Sequence, residues 1–306
     1  MSKSKNKITK RKTNTQKNIS TKKTKRLIKQ NKPKILYNIP FLKKQEKQLL
    51  CLLGKGKCNH DESLTKEVES CISLLSITNN TPKIFIDIGA HKGLYTKEVL
   101  HKFPDIECYL FEPSPSNTII LKNKFENLNN VHISTNALSN RTGKQKIYFD
   151  NPGSQLTSLT QRRLDHFHMY MNSSEEIETT RFDEFWKTTD IYLNNPNTII
   201  DYVKIDVEGH ELNVLEGFGK LLDNVGLIQF EFGGCNIDTR TFFQDFWYFF
   251  KNKLYDFSIY RIAPNGLIPI THYSESDECF QTTNYIAINN KINKNYKINK
   301  HKKIKN

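Results

Sequence analysis

The chain has 306 residues and a formal net charge of +14, a length that suits one large α/β domain with flanking segments. The basic excess lies at the ends, because residues 1–34 hold 14 Lys and Arg side chains and residues 291–306 hold seven Lys, with no acidic residue in either segment. Residues 35–290 are mildly acidic, which argues against a basic nucleic-acid-binding face there, and no apolar run approaches the roughly 18 residues of a membrane-spanning helix.

Residues 1–45 are predicted to form a disordered basic tail, because polar and basic side chains dominate and almost no apolar surface is available for burial. The basic cluster at residues 22–26 fits a solvated tail, a nuclear-import signal or a non-specific nucleic-acid arm. Residues 291–306 are predicted to be a second basic tail. The N-terminus shows no apolar h-region of a secretory signal. We expect a cytoplasmic protein, with nuclear targeting by the N-terminal tail as the alternative.

The six cysteines are scattered along the chain and form no CxxC pair. A chain of this length does not need disulfides for stability, so the thiols are expected to be reduced. Their spacing matches no common zinc motif, and no metal site is predicted.

Residues 46–80 are predicted to be a helical N-terminal extension. Apolar residues recur in two runs, around Leu49–Leu53 and Val68–Leu75, on either side of a break at residues 54–57. These helices are expected to pack on the outside of the main domain.

Residues 81–290 are predicted to be the main domain, in which strands and helices alternate. Strands are predicted at 84–88, 107–111, 131–135, 144–149, 198–207, 225–232, 255–262 and 283–288, and helices at 94–103, 116–127, 210–218 and 239–251. This alternation predicts a Rossmann-like α/β fold: a mostly parallel seven-stranded sheet with an antiparallel edge strand and helices on both faces. Residues 150–175 are predicted to be a long loop.

Ligands of open α/β sheets bind beyond the carboxyl ends of the strands, where this chain places polar residues. Asp87 ends the first strand, and Gly89 and Gly93 after it permit a tight turn. A carboxylate there would repel a pyrophosphate but favours an amino group or a sulfonium, the two cations of S-adenosylmethionine. Glu112 follows the second strand, 23 residues after Gly89, a spacing that suits a carboxylate accepting ribose hydroxyls; an acid near a helix cap is the alternative.

The third predicted strand leads into Asn136 and Ala137, which could line an adenine slot or simply pack a loop. Their spacing alone does not decide between these interpretations.

The fourth and fifth strand ends carry acidic residues. Lys204 and Asp206 interrupt an apolar strand, so they either form a buried ion pair or mark a site. Glu208 and His210 follow, and His210 could act as a base near neutral pH. Glu231 is expected near Asp206 if the two strands are neighbours. Together these carboxylates could bind a divalent metal, bind an amine or hydroxyl, or take a proton.

At these residues the sequence resembles the FkbM family of S-adenosylmethionine-dependent methyltransferases. The matching stretches are IDIGAHKGLYT (86–96), FEPSP (111–115), NALSN (136–140), TTRFDEF (179–185), DYVKIDVEGHELNVLEG (201–217) and QFEF (229–232). The resemblance implies a seven-stranded methyltransferase fold over roughly residues 82–290. It also implies cofactor contacts along the first two strand ends, with Asp206 near the methyl donor. Family members commonly methylate hydroxyls of sugars and small natural products.

The combined prediction is an S-adenosylmethionine-dependent methyltransferase that modifies a hydroxyl of a sugar, a glycan or another small molecule. The predicted cofactor-binding residues are Asp87, Gly89, Ala90, His91, Gly93, Glu112, Pro113, Ser114, Asn136 and Ala137, and the predicted catalytic residues are Asp206, Glu208, His210 and Glu231. The alternatives are an RNA-modifying methyltransferase that grips phosphates with its tails, which the acidic core disfavours, and a non-catalytic nucleotide-binding module. A dinucleotide-dependent dehydrogenase is more distant, since the glycines do not follow the G-x-G-x-x-G spacing.

Overall fold

The computed structural model describes residues 39–56, 60–78, 81–252 and 254–293. The chain forms two compact units, residues 1–46 and residues 47–306. The described part of the first unit is the beginning of a helix, whose side chains are exposed there. The sheets and the cavity belong to the second unit.

Within the described residues, the helices are α1 (Ile39–Leu52), α2 (His60–Thr78), α3 (Leu94–Lys102), α4 (Pro115–Phe125), α5 (Phe182–Trp186), α6 (Asp190–Asn194), α7 (Glu211–Gly217), α8 (Cys235–Thr239) and α9 (Phe243–Phe250). The strands are β1 (Ile84–Ile88), β2 (Glu107–Phe111), β3 (Val131–Ser134), β4 (Ala137–Leu138), β5 (Gly143–Phe149), β6 (Ser173–Thr180), β7 (Ile200–Ile205), β8 (Val225–Phe232), β9 (Phe257–Ala263), β10 (Gly266–Ile270) and β11 (Thr283–Asn289). None of the helices that the structure describes is both long enough and apolar enough to cross a membrane.

Helix α1 begins at Ile39, inside the segment predicted to be a disordered tail, so the predicted boundary at residue 45 is wrong. Pro40 stands in the first turn of this helix, where its missing N–H costs no hydrogen bond. The predicted tails otherwise fall largely on residues 1–38 and 294–306, which lie outside the described residues.

The main sheet has eight strands in the order β10-β9-β11-β8-β7-β1-β2-β3. The five strands from β8 to β3 pair in parallel, and β11, β9 and β10 add an antiparallel edge. The mostly parallel α/β fold is confirmed, but the prediction of seven strands with one antiparallel edge strand is wrong. Strand β10 was missed because Pro269 interrupts its apolar pattern, and proline is tolerated there because β10 is an edge strand.

Helices cover both faces of this sheet, as predicted. On one face, α5, α7 and α9 pack against the parallel strands, and α9 buries Phe243, Phe246 and Phe250 at helical spacing. On the other face, α3 and α4 pack together with α2, which buries Val68 and Cys71. The helix before the first strand is therefore part of the hydrophobic core.

A second sheet of three strands, in the order β4-β6-β5, lies between β3 and α5 in the chain. Strand β6 occupies part of the segment predicted to be a loop up to residue 175. Its sequence is SSEEIETT and most of its side chains are exposed, so no apolar pattern marks it. Residues 150–172 form the remaining loop, which contains a short 3₁₀ helix at Asp165–Phe167.

The described cysteines include four free thiols and one half of a disulfide. Cys71, Cys108, Cys235 and Cys279 are free. Cys51 is disulfide-bonded, so the expectation of reduced thiols is wrong there. A disulfide depends on the approach of two Cβ atoms in space, which spacing along the chain does not reveal.

Candidate active site

A cavity of about 550 Å³ lies at the carboxyl ends of β1, β2, β7 and β8. The predicted site residues that line it are Gly89, Ala90, His91, Glu112, Pro113, Ala137, Asp206, Glu208, His210 and Glu231. The predicted residues that do not line it are Asp87, Gly93, Ser114 and Asn136. The structure thus brings residues of both predicted sets, cofactor-binding and catalytic, to a single cavity.

The two glycines of the turn after β1 pack against different parts of the protein. Gly89 has a φ of +78°, and a Cβ there would lie 1.9 Å from the carbonyl oxygen of Asp206, so a side chain would separate the two loops. Gly93 has a φ of +68°, and a Cβ there would lie 2.6 Å from a ring carbon of Phe125 in α4. Gly93, which was predicted to contact the cofactor, packs the turn against α4 and is not part of the cavity lining.

Asp87 is fully buried and does not reach the cavity. Its Oδ2 accepts a hydrogen bond of 2.6 Å from Thr96 Oγ1, and its Oδ1 lies 3.4 Å from Lys204 Nζ. Lys204 Nζ donates to the carbonyl oxygen of Gly89 at 3.1 Å and lies 3.5 Å from Asp206 Oδ2. Asp87, which was predicted to bind the cofactor, therefore has its charge neutralised by Lys204 and is not part of the cavity lining. Asp87 instead holds the ammonium group that supports the glycine turn.

The register of the strands places these side chains next to one another. Asp87 on β1 is paired with Lys204 on β7, which is paired with Gln229 on β8. Burial alone would lower the pKa of Lys204, but the carboxylates of Asp87 and Asp206 raise it above its ordinary value. Lys204 is therefore a stable cation between two carboxylates.

Glu112, just after β2, is buried with both carboxylate oxygens hydrogen-bonded. Its Oε2 accepts from the backbone N–H of His91 at 2.9 Å, and its Oε1 accepts from the backbone N–H of Ser114 at 3.0 Å and from Asn117 Nδ2 at 3.3 Å. Burial raises the pKa of Glu112, and these hydrogen bonds oppose the shift. The backbone N–H of Ser114 thus helps to hold Glu112 in place, and Ser114 is not part of the cavity lining.

Asn117, in the first turn of α4, was missed by the sequence analysis. It is 1% exposed and lines the cavity, and its Oδ1 is buried with no hydrogen-bond partner among the described residues. A buried acceptor without a donor is unfavourable, so this atom suits a hydroxyl or amine of a ligand. Its position as a polar residue in the first turn of the helix after Glu112 could have indicated a role in the site.

The predicted adenine slot is only partly present. Ala137 and Leu138 of β4 line the cavity, together with Phe111 at the end of β2. Asn136 does not line it; its backbone N–H is hydrogen-bonded to Ser134 Oγ at 3.3 Å. The cavity wall next to β2 is therefore apolar here, whereas the amide of Asn136 was predicted to line it.

Glu208 ties the loop after β7 to the loop of residues 150–172. Its φ is +55°, and its carboxylate forms an ion pair with Arg162 Nη1. Its carbonyl oxygen accepts a hydrogen bond of 2.8 Å from Ser158 Oγ, and Arg162 Nε lies 3.7 Å from Asp238 Oδ2. Arg162 was missed because no local motif distinguishes it within a long loop.

His210 lines the cavity but is poorly suited to take a proton. Its Nε2 lies 2.9 Å from Ser139 Oγ. Burial, with a smaller contribution from the charge of Arg141, lowers its pKa to about 4. The imidazole is therefore neutral at pH 7 and only weakly basic.

Three carboxylates meet at the end of the cavity nearest β7 and β8. One oxygen each of Asp206, Glu208 and Glu231 lies within 4.8 Å of the others. Because Ile205 of β7 pairs with Phe230 of β8, the residues that follow them are also neighbours, which confirms the predicted proximity of Asp206 and Glu231. Carboxylates this close can share a proton or hold a cation, including a divalent metal.

The chain is similar to several solved methyltransferases, although distantly. An rRNA methylase from Streptococcus thermophilus has 10% identity over 76% of this chain and 98% of that chain, with a TM-score of 0.37. A precorrin-6y C5,15-methyltransferase from Geobacter metallireducens has 11% identity over 76% and 92%, with a TM-score of 0.38. The plantazolicin methyltransferase BpumL, in complex with a pentazolic desmethylPZN analog and SAH, has 12% identity over 76% of this chain and 86% of that chain, with a TM-score of 0.42. Likeness at this level carries no information about substrate or mechanism.

Comparison of the sequence with family models assigns the family, which these distant structural similarities do not. No curated protein matches the sequence. The family model of the methyltransferase FkbM domain matches residues 87–257, which is more than half of the chain and includes most of the cavity lining. The chain therefore belongs to the FkbM family of S-adenosylmethionine-dependent methyltransferases.

Proposed function

We propose that this protein transfers the methyl group of S-adenosylmethionine to a hydroxyl group of a sugar or another small molecule. The observation that carries the proposal is the meeting of Asp206, Glu208 and Glu231 in the cavity that also contains the glycine turn. The cofactor supplies an electrophilic methyl group on a cationic sulfur. The protein has to align the acceptor oxygen with that group and exclude water.

The chemistry of the lining fits this cofactor. Asn117 Oδ1 is an unsatisfied acceptor, and the rigid carboxylate of Glu112 lies beside it, as hydroxyl groups of a ribose would require. Phe111 and Leu138 offer apolar surface to a flat base. The carboxylate of Asp206, near the glycine turn, suits a positively charged portion of the ligand.

Asp206 and Glu231 are the groups that would receive the proton of the acceptor hydroxyl. They are neighbours at the ends of adjacent strands and both line the cavity. His210 is the weaker choice, because its lowered pKa of about 4 reduces its affinity for a proton and its Nε2 already contacts Ser139.

The same carboxylates support a small acceptor over a nucleic acid. A phosphodiester would meet a cluster of three carboxylates here. Arg162 and Lys204 already accompany Glu208 and Asp206, so the ion pairs of the described residues offer it no free cation at this end of the cavity. A sugar hydroxyl carries no charge and would accept hydrogen bonds from, or donate them to, the polar groups of the lining.

Calorimetry tests the cofactor, and a methyl-transfer assay tests the acceptor. We expect S-adenosylhomocysteine to bind and NAD not to bind. With labelled S-adenosylmethionine and a panel of monosaccharides and small alcohols, Asp206→Asn and Glu231→Gln should each lower kcat by about 100-fold or more. Glu98→Gln, an exposed change on α3, is the matched control and should leave kcat unchanged. Binding of NAD alone, or full activity of both site variants, would contradict the proposal.

A further inference from the structure

The groups assigned to the ribose are almost closed off from solvent. Glu112 is 5% exposed and Asn117 is 1% exposed, although both line the cavity. Asn117 Oδ1 is buried and has no hydrogen-bond partner among the described residues. A ribose hydroxyl that binds this oxygen therefore has to reach an atom that solvent does not reach in this conformation.

Part of the loop of residues 150–172 covers this end of the cavity. We call residues 153–157 the covering segment; the residues of it that line the cavity are Ser154, Gln155 and Thr157. Gly153 has a φ of +74°, and a Cβ there would lie 3.1 Å from Asn117 Oδ1. The backbone of Gly153 thus lies against the oxygen that suits a ribose hydroxyl.

The chain directly after the covering segment is firmly attached to the domain. Ser158 exchanges two backbone hydrogen bonds with Tyr148 of β5, at 2.8 and 3.1 Å. Its Oγ donates to the carbonyl oxygen of Glu208 at 2.8 Å, and Arg162 forms an ion pair with the carboxylate of the same residue. Four contacts therefore hold this side of the loop.

One side-chain contact attaches the covering segment itself. The Nε2 of His91, in the glycine turn, lies 3.0 Å from the carbonyl oxygen of Gly153. Among the described residues, this is the only hydrogen bond between the covering segment and a residue outside the loop. A carbonyl oxygen can only accept, so Nε2 of His91 carries the proton. The segment is thus held at the cofactor side by a single donor.

The backbone of His91 fixes the position of that donor. Its φ is +50°, and its N–H donates to Glu112 Oε2 at 2.9 Å. Burial lowers the pKa of the imidazole from its ordinary value, so the neutral ring predominates at pH 7. His91 therefore joins Glu112, through its backbone, to the covering segment, through its side chain.

Entry of a ligand at Asn117 requires the covering segment to move away. The attachments at Ser158 and beyond can stay intact during this movement, but the hydrogen bond from His91 has to break. The same bond has to break again when the product leaves. Once the cofactor is bound, the closed segment excludes water from the site, which methyl transfer requires.

We propose that His91 is a positioning residue that holds the covering segment closed over the cofactor, so that this contact with Gly153 controls how fast the cofactor enters and the product leaves. This inference rests on the proposed function, because that function defines the ligand. Since the contact is made both before and after binding, its loss should change the rates of exchange much more than the affinity.

The binding kinetics of S-adenosylhomocysteine, measured by surface plasmon resonance, test this assignment. We expect His91→Ala to raise the association and the dissociation rate constants by about fivefold or more each, with Kd within about threefold of the wild type. His91→Gln keeps a side-chain N–H that can donate to the same carbonyl, and should return both rate constants toward the wild-type values. His101→Ala, an exposed change on α3, is the matched control and should alter neither.

Hydrogen exchange of the ligand-free protein is an independent measurement. In His91→Ala the amides of residues 154–157 should exchange faster than in the wild type, whereas those of β1 should be unaltered. Unaltered exchange in β1 also shows that the variant is folded.

A dissociation rate constant that rises without the association rate constant would overturn the inference, because His91 would then bind the ligand directly. Rate constants that do not change in His91→Ala would overturn it too. If the wild-type protein does not bind S-adenosylhomocysteine at all, the proposed function itself fails, and this outcome is distinct from the other two.

Discussion

Lys204 Nζ lies 3.4 Å from Asp87 Oδ1, and this contact joins two adjacent parallel strands directly beneath the glycine turn. The lysine side chain is 6% exposed and the aspartate is fully buried. A buried ion pair of this kind contributes little net stability over an apolar pair, but removal of one partner leaves an uncompensated charge in the protein interior. The contact therefore makes the turn sensitive to any change in either residue.

We expect Lys204→Met to lower the free energy of unfolding by about 3–5 kcal/mol, because Asp87 would then be buried without a counter-ion. Urea denaturation at pH 7 measures this loss. The double variant Asp87→Asn, Lys204→Met is the control, and it should recover a large part of the loss because it retains neither charge of the pair. A double variant no more stable than the single one would contradict this explanation.

Gly89→Ala should disrupt the approach of the glycine turn to the loop after β7. A Cβ at this position would lie 1.9 Å from the carbonyl oxygen of Asp206, and the φ of +78° is strained for any side chain. We expect affinity for S-adenosylhomocysteine to fall by about tenfold or more, measured by calorimetry. The control is Gly143→Ala, where φ is also positive but no atom lies within 4 Å. Similar affinities in the two variants would show that the contact with Asp206 does not shape the site.

Glu211 should make the protein less stable as the pH rises toward neutrality. Its Oε1 accepts hydrogen bonds from the backbone N–H groups of Val207 at 3.0 Å and Gly209 at 3.1 Å, and burial raises its pKa from 4.5 to about 7. Between these pH values the unfolded chain has lost this proton while the folded protein keeps it, so stability falls as pH rises. The two pKa values correspond to a loss of about 3 kcal/mol, which is complete above pH 7.

Glu211→Gln isolates this contribution, because it removes the titration while an amide oxygen can still accept the backbone hydrogen bonds. The stability of the variant relative to the wild type should rise by about 3 kcal/mol between pH 4.5 and pH 8, measured by denaturant unfolding at both values. The lowered pKa of His210 acts in the opposite direction over acidic pH, but it is present in both proteins and cancels in the difference. A difference that does not change with pH would contradict the raised pKa of Glu211.

The strands that form the cavity could be predicted from the sequence because their signals are local. Strands β1, β2, β7 and β8 are largely apolar and lead into polar residues, and parallel strands place such ends at one edge of the sheet. For the same reason the neighbourhood of Asp206 and Glu231 was predictable. Strands β6 and β10 lack such signals: the first is polar and exposed, and the second contains Pro269.

The residues that the sequence analysis missed depend on contacts between distant segments. Arg162 is paired with Glu208 across 46 positions of the chain, and Glu67 with Gln229 across 162. Asp87 was assigned to the cavity because its position beside the glycines suggested a ligand contact. Its burial follows from the register of β1 with β7, which pairs it with Lys204 and which no local pattern contains.

The packing of α2 has a consequence for protein engineering. A fragment that began at residue 81 would contain the entire matched family segment, but it would expose Tyr202 and Gln229 to water together with the apolar surface that Val68 and Leu75 cover. Such a fragment would be prone to aggregate, because a broad apolar patch would be left open on one side of the sheet. Grafting of this catalytic module onto another protein therefore requires the residues from His60 onward.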